Sequence, residues 1–193
     1  MKQGKLIGIV GYAGSGKTTI TRAAIDVPHM ADVKQMSFST PIVQMLRAIG
    51  VPSELLNDKS RWNEPLEMLC GHSIRYAATT LGTEWGRDLV GQELWTRIGL
   101  AQAARHRAIG RHVIIDAVRF PSEMEAMREA GAVFVAMYRA DVENVAKSTD
   151  NYHESERHIF KLRQQCEWSI ENSGTFNDAV ARMRKIIVDI IDA

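Results

Sequence analysis

The sequence predicts an α/β fold in which a parallel five-stranded sheet is covered by helices. Two observations lead there. Short apolar runs alternate with helical patterns along most of the 193 residues. The first run, Leu6-Ile7-Gly8-Ile9-Val10, ends in Gly11-Tyr12-Ala13-Gly14-Ser15-Gly16-Lys17-Thr18, which fits G-x-x-x-x-G-K-[ST] at a strand-to-helix junction. A third observation is Asp116, which closes a later apolar run at the carboxyl end of a parallel strand, where such sheets meet their ligands.

In chain order, residues 5–10 read as the first strand and 18–27 as a helix that Pro28 closes. Residues 33–38 form a short second strand. Ser39-Thr40-Pro41 supplies a helix cap with proline in the first turn, opening a helix that Gly50 stops. Residues 51–110 lack a strand pattern and carry helical stretches at 65–69, 73–81 and 93–109, separated by Gly71, Gly82, Gly86 and Gly91. This segment is expected to be a helical substrate-binding insertion in a single domain whose core is 1–50 and 111–193. Strand character returns at 112–116, followed by a helix over 121–130 and a buried strand over 132–138. Residues 139–156 are polar and read equally as a lid or as a solvated loop. A helix over 158–165, a strand over 167–170 and an amphipathic helix ending at Ile191 complete the chain.

Composition narrows the function classes. With 45% hydrophobic and 24% charged residues the chain is ordinary globular material, and a formal net charge of +1 gives no electrostatic case for binding a nucleic-acid polymer. Cys70 and Cys166 are the two cysteines, without C-x-x-C spacing, so neither zinc nor a disulfide framework is indicated and a cytoplasmic location is expected. The N-terminal residues lack a signal-peptide pattern, and no apolar run approaches the ~20 residues that span a bilayer. No G-x-S-x-G elbow supports a serine hydrolase.

The octet carries the chemistry. Its glycines let the backbone turn tightly and point successive N–H groups inward at a triphosphate held over a helix N-terminus. Lys17 then reaches the outer phosphates and the Thr18 hydroxyl holds Mg2+, which makes the fold that of a P-loop NTPase. Asp116 is either the carboxylate that serves the metal or a turn aspartate. Arg119 either pairs with a phosphate or with Glu123. In 82–87, Gly82-Thr83-Glu84-Trp85-Gly86-Arg87 joins an aromatic, a carboxylate and an arginine in what reads as a surface loop, able to stack on a base and hold a phosphate. Arg75 is a second phosphate donor on a helix, with surface salt bridging as the plain alternative for Arg75 and Arg87. For Trp85 and Trp95 the plain alternative is core packing. The lid cations include Arg139, Lys147, His153 and Arg157.

On these strings the chain resembles the phage-type deoxynucleoside monophosphate kinases, a branch of the P-loop nucleotide kinases. The likeness covers nearly the whole chain: the octet, Ser73-Ile74-Arg75, Leu81-Gly82-Thr83-Glu84-Trp85-Gly86-Arg87, Leu94-Trp95, Val118-Arg119-Phe120-Pro121-Ser122-Glu123, His153-Glu154-Ser155-Glu156 and Ile170-Glu171-Asn172. The resemblance implies transfer of the γ-phosphate of ATP to a deoxynucleoside monophosphate, giving a diphosphate and ADP, with Mg2+. Gly11, Ala13, Gly14, Ser15, Gly16, Lys17, Thr18, Thr19, Asn172 and Gly174 are then assigned to ATP, and Thr18 with Asp116 to the metal. Phe38, Arg75, Thr83, Glu84, Trp85, Arg87 and Arg119 are assigned to the acceptor, while Lys17, Arg119, Arg139 and Lys147 act on the transferred group. The resemblance also implies the cytosol of a host cell if the source is viral, and is compatible with a homodimer. Two departures stand out. The family string runs D-V-R-F-P-N-E, whereas Ala117 here separates Asp116 from Val118, and Ser39-Thr40-Pro41 stands where relatives often carry an aspartate before the proline.

Other readings remain. One is a kinase of another small phosphorylated metabolite, such as phosphomevalonate or dephospho-coenzyme A. The other is a nucleotide-dependent switch, for which Asn57-Asp58-Lys59-Ser60 only superficially matches the guanine-reading N-K-x-D.

Overall fold

The computed structural model describes residues 3–140 and 158–193. Its contacts divide the chain into two compact units, one made of 1–37 with 100–193 and the other of 38–99.

The first unit holds the sheet. Five strands, β1 (Leu6–Val10), β2 (Val33–Met36), β3 (His112–Val118), β4 (Ala132–Tyr138) and β5 (Trp168–Glu171), pair in the order β2-β3-β1-β4-β5 with every pairing parallel. The central strand β1 is buried along its whole length, which explains a sequence that is apolar at every position but Gly8. A Cβ on Gly8 would come within 2.5 Å of the Phe134 ring, so glycine is what lets that ring lie against the strand.

Helices α1 (Lys17–Ile25) and, at the C-terminus, Phe176–Asp192 pack together on one face. There Ile7, Ile9, Ile114, Val135 and Met137 of the sheet meet Ile20 and Ala24 of α1 and Ala179, Met183, Ile187 and Ile190 of the C-terminal helix. Each fully buried aliphatic side chain of this kind contributes about 1.5–3 kcal/mol. Arg184 fastens the two helices by donating to the carbonyls of Ala24 and Ala23 at 2.9 and 3.3 Å, near the end of α1 where helix carbonyls lack partners. Helices Pro121–Glu129 and Ile159–Arg163 also pack on strands of the sheet.

Several expected boundaries shift here, the first strand starting at Leu6 and the helix after it ending at Ile25. Two shifts belong together. The second strand ends at Met36, not Phe38, which lies in the turn leading out of the sheet unit. The third runs two residues past Asp116, to Val118. Both follow from one irregularity. Gly8 pairs with Ile115 but Val10 pairs with Val118, so three steps of β3 oppose two of β1. That is a β-bulge at Asp116–Ala117. Pairing with β2 stops at Ile115, just before it. The residue that separates this chain from the D-V-R-F-P pattern is thus absorbed in the bulge. The last strand is Trp168–Glu171, one residue later than expected.

The second unit is helical: α2 (Thr40–Ala48), α3 (Ser53–Asn57), α4 (Ile74–Thr80) and the first part of α5 (Leu94–Ala108), with 3-10 turns at Lys59–Arg61 and Glu67–Leu69. Gly50, at φ +99°, ends α2 as expected. Ser39 precedes the helix without a side-chain capping bond, although Pro41 occupies the first turn. Leu46, Val51, Leu56 and Ile74 form its core, with Val43, Trp62, Leu66 and Leu81 packed around them.

The expected loop at 82–87 is a helix instead. Residues Leu81–Val90 continue α4 as a wide π-helix, and Gly91 closes it by donating to the Gly86 carbonyl five residues back at 2.9 Å. Gly82 and Gly86 break nothing, because they are there for clearance. A Cβ on Gly82 would lie 3.1 Å from Ile42 Cδ1, and one on Gly86 would enter the Trp95 indole at 2.5 Å. The Trp95 Nε1–H donates to the Gly82 carbonyl at 2.7 Å, satisfying backbone inside the widened helix. Among the described residues no helix is long and apolar enough to cross a membrane.

Candidate functional site

Between β1 and α1 the octet forms a cradle. Gly14 and Gly16 take φ of +79° and +90°, a left-handed region that favours glycine. Gly11 is required by proximity, since a Cβ there would stand 2.2 Å from the Met137 carbonyl on the neighbouring strand β4. Ser15 and Lys17 are buried, whereas Ala13, Gly14 and Thr19 are exposed and Gly16 and Thr18 half-buried. The first turn of α1 contains no acidic residue, leaving the positive end of the helix unopposed by a carboxylate. Lys17 folds back over the loop, its Nζ 2.5 Å from the Tyr12 carbonyl and 3.4 Å from Ser15 Oγ.

From the carboxyl end of the edge strand β5, Asn172 braces the cradle. Its backbone N–H donates to the Tyr138 carbonyl at 2.8 Å, continuing the β4–β5 pairing, and its Nδ2 donates to the Ser15 carbonyl at 3.0 Å. Gly174 lies exposed between this residue and Thr175, whose Oγ1 accepts from Asp178 N and caps the C-terminal helix.

Asp116 is buried at 5% exposure, and its Oδ2 accepts a 2.6 Å hydrogen bond from Gln35 Nε2. The same nitrogen donates to the Thr18 carbonyl at 3.2 Å. Asp116 and the first turn of α1 are therefore joined through one amide on β2. Sequence reading missed Gln35; its signal was a polar residue between Val33 and Met36, the two buried positions of a strand in a parallel sheet.

Arg119 is half-buried beyond the bulge. Its backbone N–H and that of Phe120 both donate to Glu123 Oε2, at 2.8 and 3.1 Å. Glu123 is buried at 4% exposure and serves the start of its helix as an N3 carboxylate reaching back to the cap. Arg139 is half-buried at the end of β4, while Lys147, His153, Arg157 and nearly all of the expected lid lie outside the described residues.

In the helical unit, Thr83, Glu84 and Trp85 are exposed on consecutive positions of the π-helix, and Arg87 is half-buried one turn on. Trp85 is 41% exposed and leans on Trp95 at a ring separation of 6.0 Å, while Trp95 is packed inside. Arg75 donates from Nε to Asn63 Oδ1 at 2.7 Å. Phe38 is buried against Gly99, where a Cβ would come within 2.5 Å of its ring. Asp58 of the N-D-K-S string accepts from Ser60 N at 3.0 Å and Ser60 Oγ at 2.5 Å. These bonds hold its carboxyl below the usual carboxylate range and make the string a turn that opens a 3-10 helix.

The residues present fit a phosphate chain. A cradle that side chains would fill, a helix N-terminus without acids and a lysine at its lip form an anion site. Thr18 and the buried Asp116 offer oxygen donors suited to a hard cation such as Mg2+. No cluster of three His, Cys, Asp or Glu side chains forms a second metal site among the described residues.

No protein-family model matches the chain, and no curated protein matches it by sequence. Solved structures do. Dephospho-CoA kinase from Campylobacter jejuni is 13% identical with a TM-score of 0.51, over 97% of each chain. A sugar kinase from Janibacter sp. HTCC2649 is 15% identical with a TM-score of 0.44, over 98% of this chain and 95% of the other. A gluconokinase from Sinorhizobium meliloti 1021 is 14% identical with a TM-score of 0.43, over 99% and 95%. At these identities the likeness is one of fold. The five-stranded parallel sheet with flanking helices is an α/β fold shared with that dephospho-CoA kinase.

Proposed function

We propose that the protein is an ATP-dependent deoxynucleoside monophosphate kinase, which transfers the γ-phosphate of ATP to a 5'-monophosphate to give a diphosphate and ADP. The observation that carries the donor half is the cradle itself. Left-handed Gly14 and Gly16, the close approach at Gly11 and the buried Lys17 leave a loop of amides whose natural occupant is a polyphosphate.

The chemistry asks for positioning and charge more than for a base, because the acceptor phosphate is already anionic. The loop amides and the α1 N-terminus hold the donor phosphates in one place, and Lys17 exchanges the Tyr12 carbonyl for their outer oxygens. Thr18 and Asp116 would hold Mg2+, which when bound would neutralise phosphate charge. Arg139 and Lys147 are assigned by the family resemblance to the transferred group.

The acceptor half rests on the family resemblance together with what the helical unit presents. Exposed Trp85 offers an indole face for a base, Thr83 and Glu84 beside it offer polar groups for the base edge, and Arg75, Arg87 and Arg119 are assigned to the monophosphate. Phe38, also assigned to the base, is packed inside its unit against Gly99.

A coupled assay tests both halves: ATP with dAMP, dGMP, dCMP, dTMP, dUMP and their ribo counterparts, with dephospho-coenzyme A included because of the structural likeness to the Campylobacter enzyme. Turnover with one or more deoxynucleotides is expected. Turnover confined to dephospho-coenzyme A would move the assignment to that reaction, and ATP hydrolysis indifferent to every acceptor would favour a nucleotide switch.

A further inference from the structure

We infer that Gln35 is a positioning residue for the metal-bearing carboxylate, a role that rests on the reading of the cradle as a metal–nucleotide site. Its amide nitrogen meets two acceptors, the Thr18 carbonyl at 3.2 Å and Asp116 Oδ2 at 2.6 Å. Both partners are oxygens that only accept. The NH2 end, and not the carbonyl end, of the amide must therefore face them, and both of its hydrogens are in use.

The choice of residue has a physical logic. Asp116 is buried, and a buried carboxylate needs a hydrogen-bond partner to offset its lost hydration. An arginine or lysine in that place would also neutralise it and compete with a cation. A neutral amide orients Oδ2 while leaving the full negative charge, and leaves Oδ1 outside the bond. Glutamate would set two like charges together, and asparagine, one methylene shorter, would fall short of spanning both partners. Because the second hydrogen goes to Thr18, the same side chain fixes the carboxylate relative to the residue that offers the other metal donor. The bulge at Asp116–Ala117 makes this necessary, since β2 pairing ends at Ile115 and leaves Asp116 without strand pairing to that neighbour.

The test uses the full chain, with Mn2+ as the spin probe and ADP as the nucleotide. Paramagnetic resonance titrations give the Mn2+ affinity of the ADP complex, and calorimetry in EDTA gives metal-free ADP affinity. Gln35→Met keeps the length and removes both donors. It should weaken Mn2+ in the ADP complex by about tenfold, the scale for losing an outer partner of a metal ligand, with metal-free ADP affinity held within about twofold. In an Asp116→Asn background the same change should have no further effect on Mn2+. Unchanged Mn2+ affinity in Gln35→Met, or an equal loss with and without Asp116, overturns the inference. Gln35→Asn gives the same reading should the methionine variant fail to fold. If the wild-type ADP complex binds no Mn2+, it is the metal–nucleotide reading that fails, a result distinguishable from wild-type binding that Gln35→Met leaves untouched.

Discussion

Asn172 Nδ2 sits 3.0 Å from the Ser15 carbonyl and at the place where a Cβ on Gly16 would approach to 2.8 Å, so one side chain both holds the cradle and fills the space beside it. Asn172→Ala removes a partly buried neutral hydrogen bond worth about 1 kcal/mol. ADP affinity should fall about fivefold, the equivalent of that energy, with the fold kept. Gly16→Ala adds both the contact and a strained φ of +90°, costing about 1–3 kcal/mol. It should weaken ADP by about 5- to 150-fold on that scale. Calorimetry on both variants checks this; wild-type ADP affinity in Asn172→Ala would mean that Asn172 does not shape the loop.

Lys17→Ala and Arg87→Ala should fail in different ways. Lys17 is buried in the cradle, and its loss should abolish transfer while circular dichroism and melting stay near wild type. Arg87 lies on the π-helix, so its loss should raise the KM for the monophosphate and lower kcat, leaving the KM for ATP within about twofold. A change confined to the ATP KM would reassign Arg87 to the donor.

Much of this was legible because local rules and tertiary structure agreed. The octet, the apolar β1 and the buried β4 needed no distant information; residues 132–138 match the observed strand end for end. The misses came where a distant residue decided. Gly82 and Gly86 look like helix breakers until Ile42 and Trp95 are seen pressing on them. Asp116 looks like a strand end until the bulge is set against β1. Gln35 has no motif at all, because its role depends on Thr18, 17 residues back, and on Asp116, 81 residues on.

Gly86→Ala tests the packing that keeps the π-helix. Its Cβ would press backbone-fixed atoms into the Trp95 ring, an overpacking cost of about 1–3 kcal/mol. The Trp95 bond to the Gly82 carbonyl should loosen with it. A red-shifted tryptophan emission and a lower melting temperature are expected. Wild-type emission and stability would show that the indole yields without cost.

Cys166 gives the pH dependence. Burial, reinforced by the neighbouring Glu167, pushes its thiol from an ordinary 9.0 up to about 12, and its Sγ–H donates to the Leu162 carbonyl at 3.4 Å. Below pH 9 the thiol is protonated in both folded and unfolded chains and adds no pH dependence. Between 9 and about 12 the unfolded chain releases the proton while the folded one keeps it, so the stability this thiol contributes falls as pH rises. Urea midpoints of wild type and Cys166→Ala should therefore keep a constant difference from pH 7 to 8.5, and wild type should lose ground from pH 9.5 upward. The same protonation makes Cys166 a poor nucleophile, so maleimide at pH 8 should label exposed Cys70 first. Equal labelling rates, together with parallel midpoint curves through pH 10.5, would place the Cys166 thiol in water.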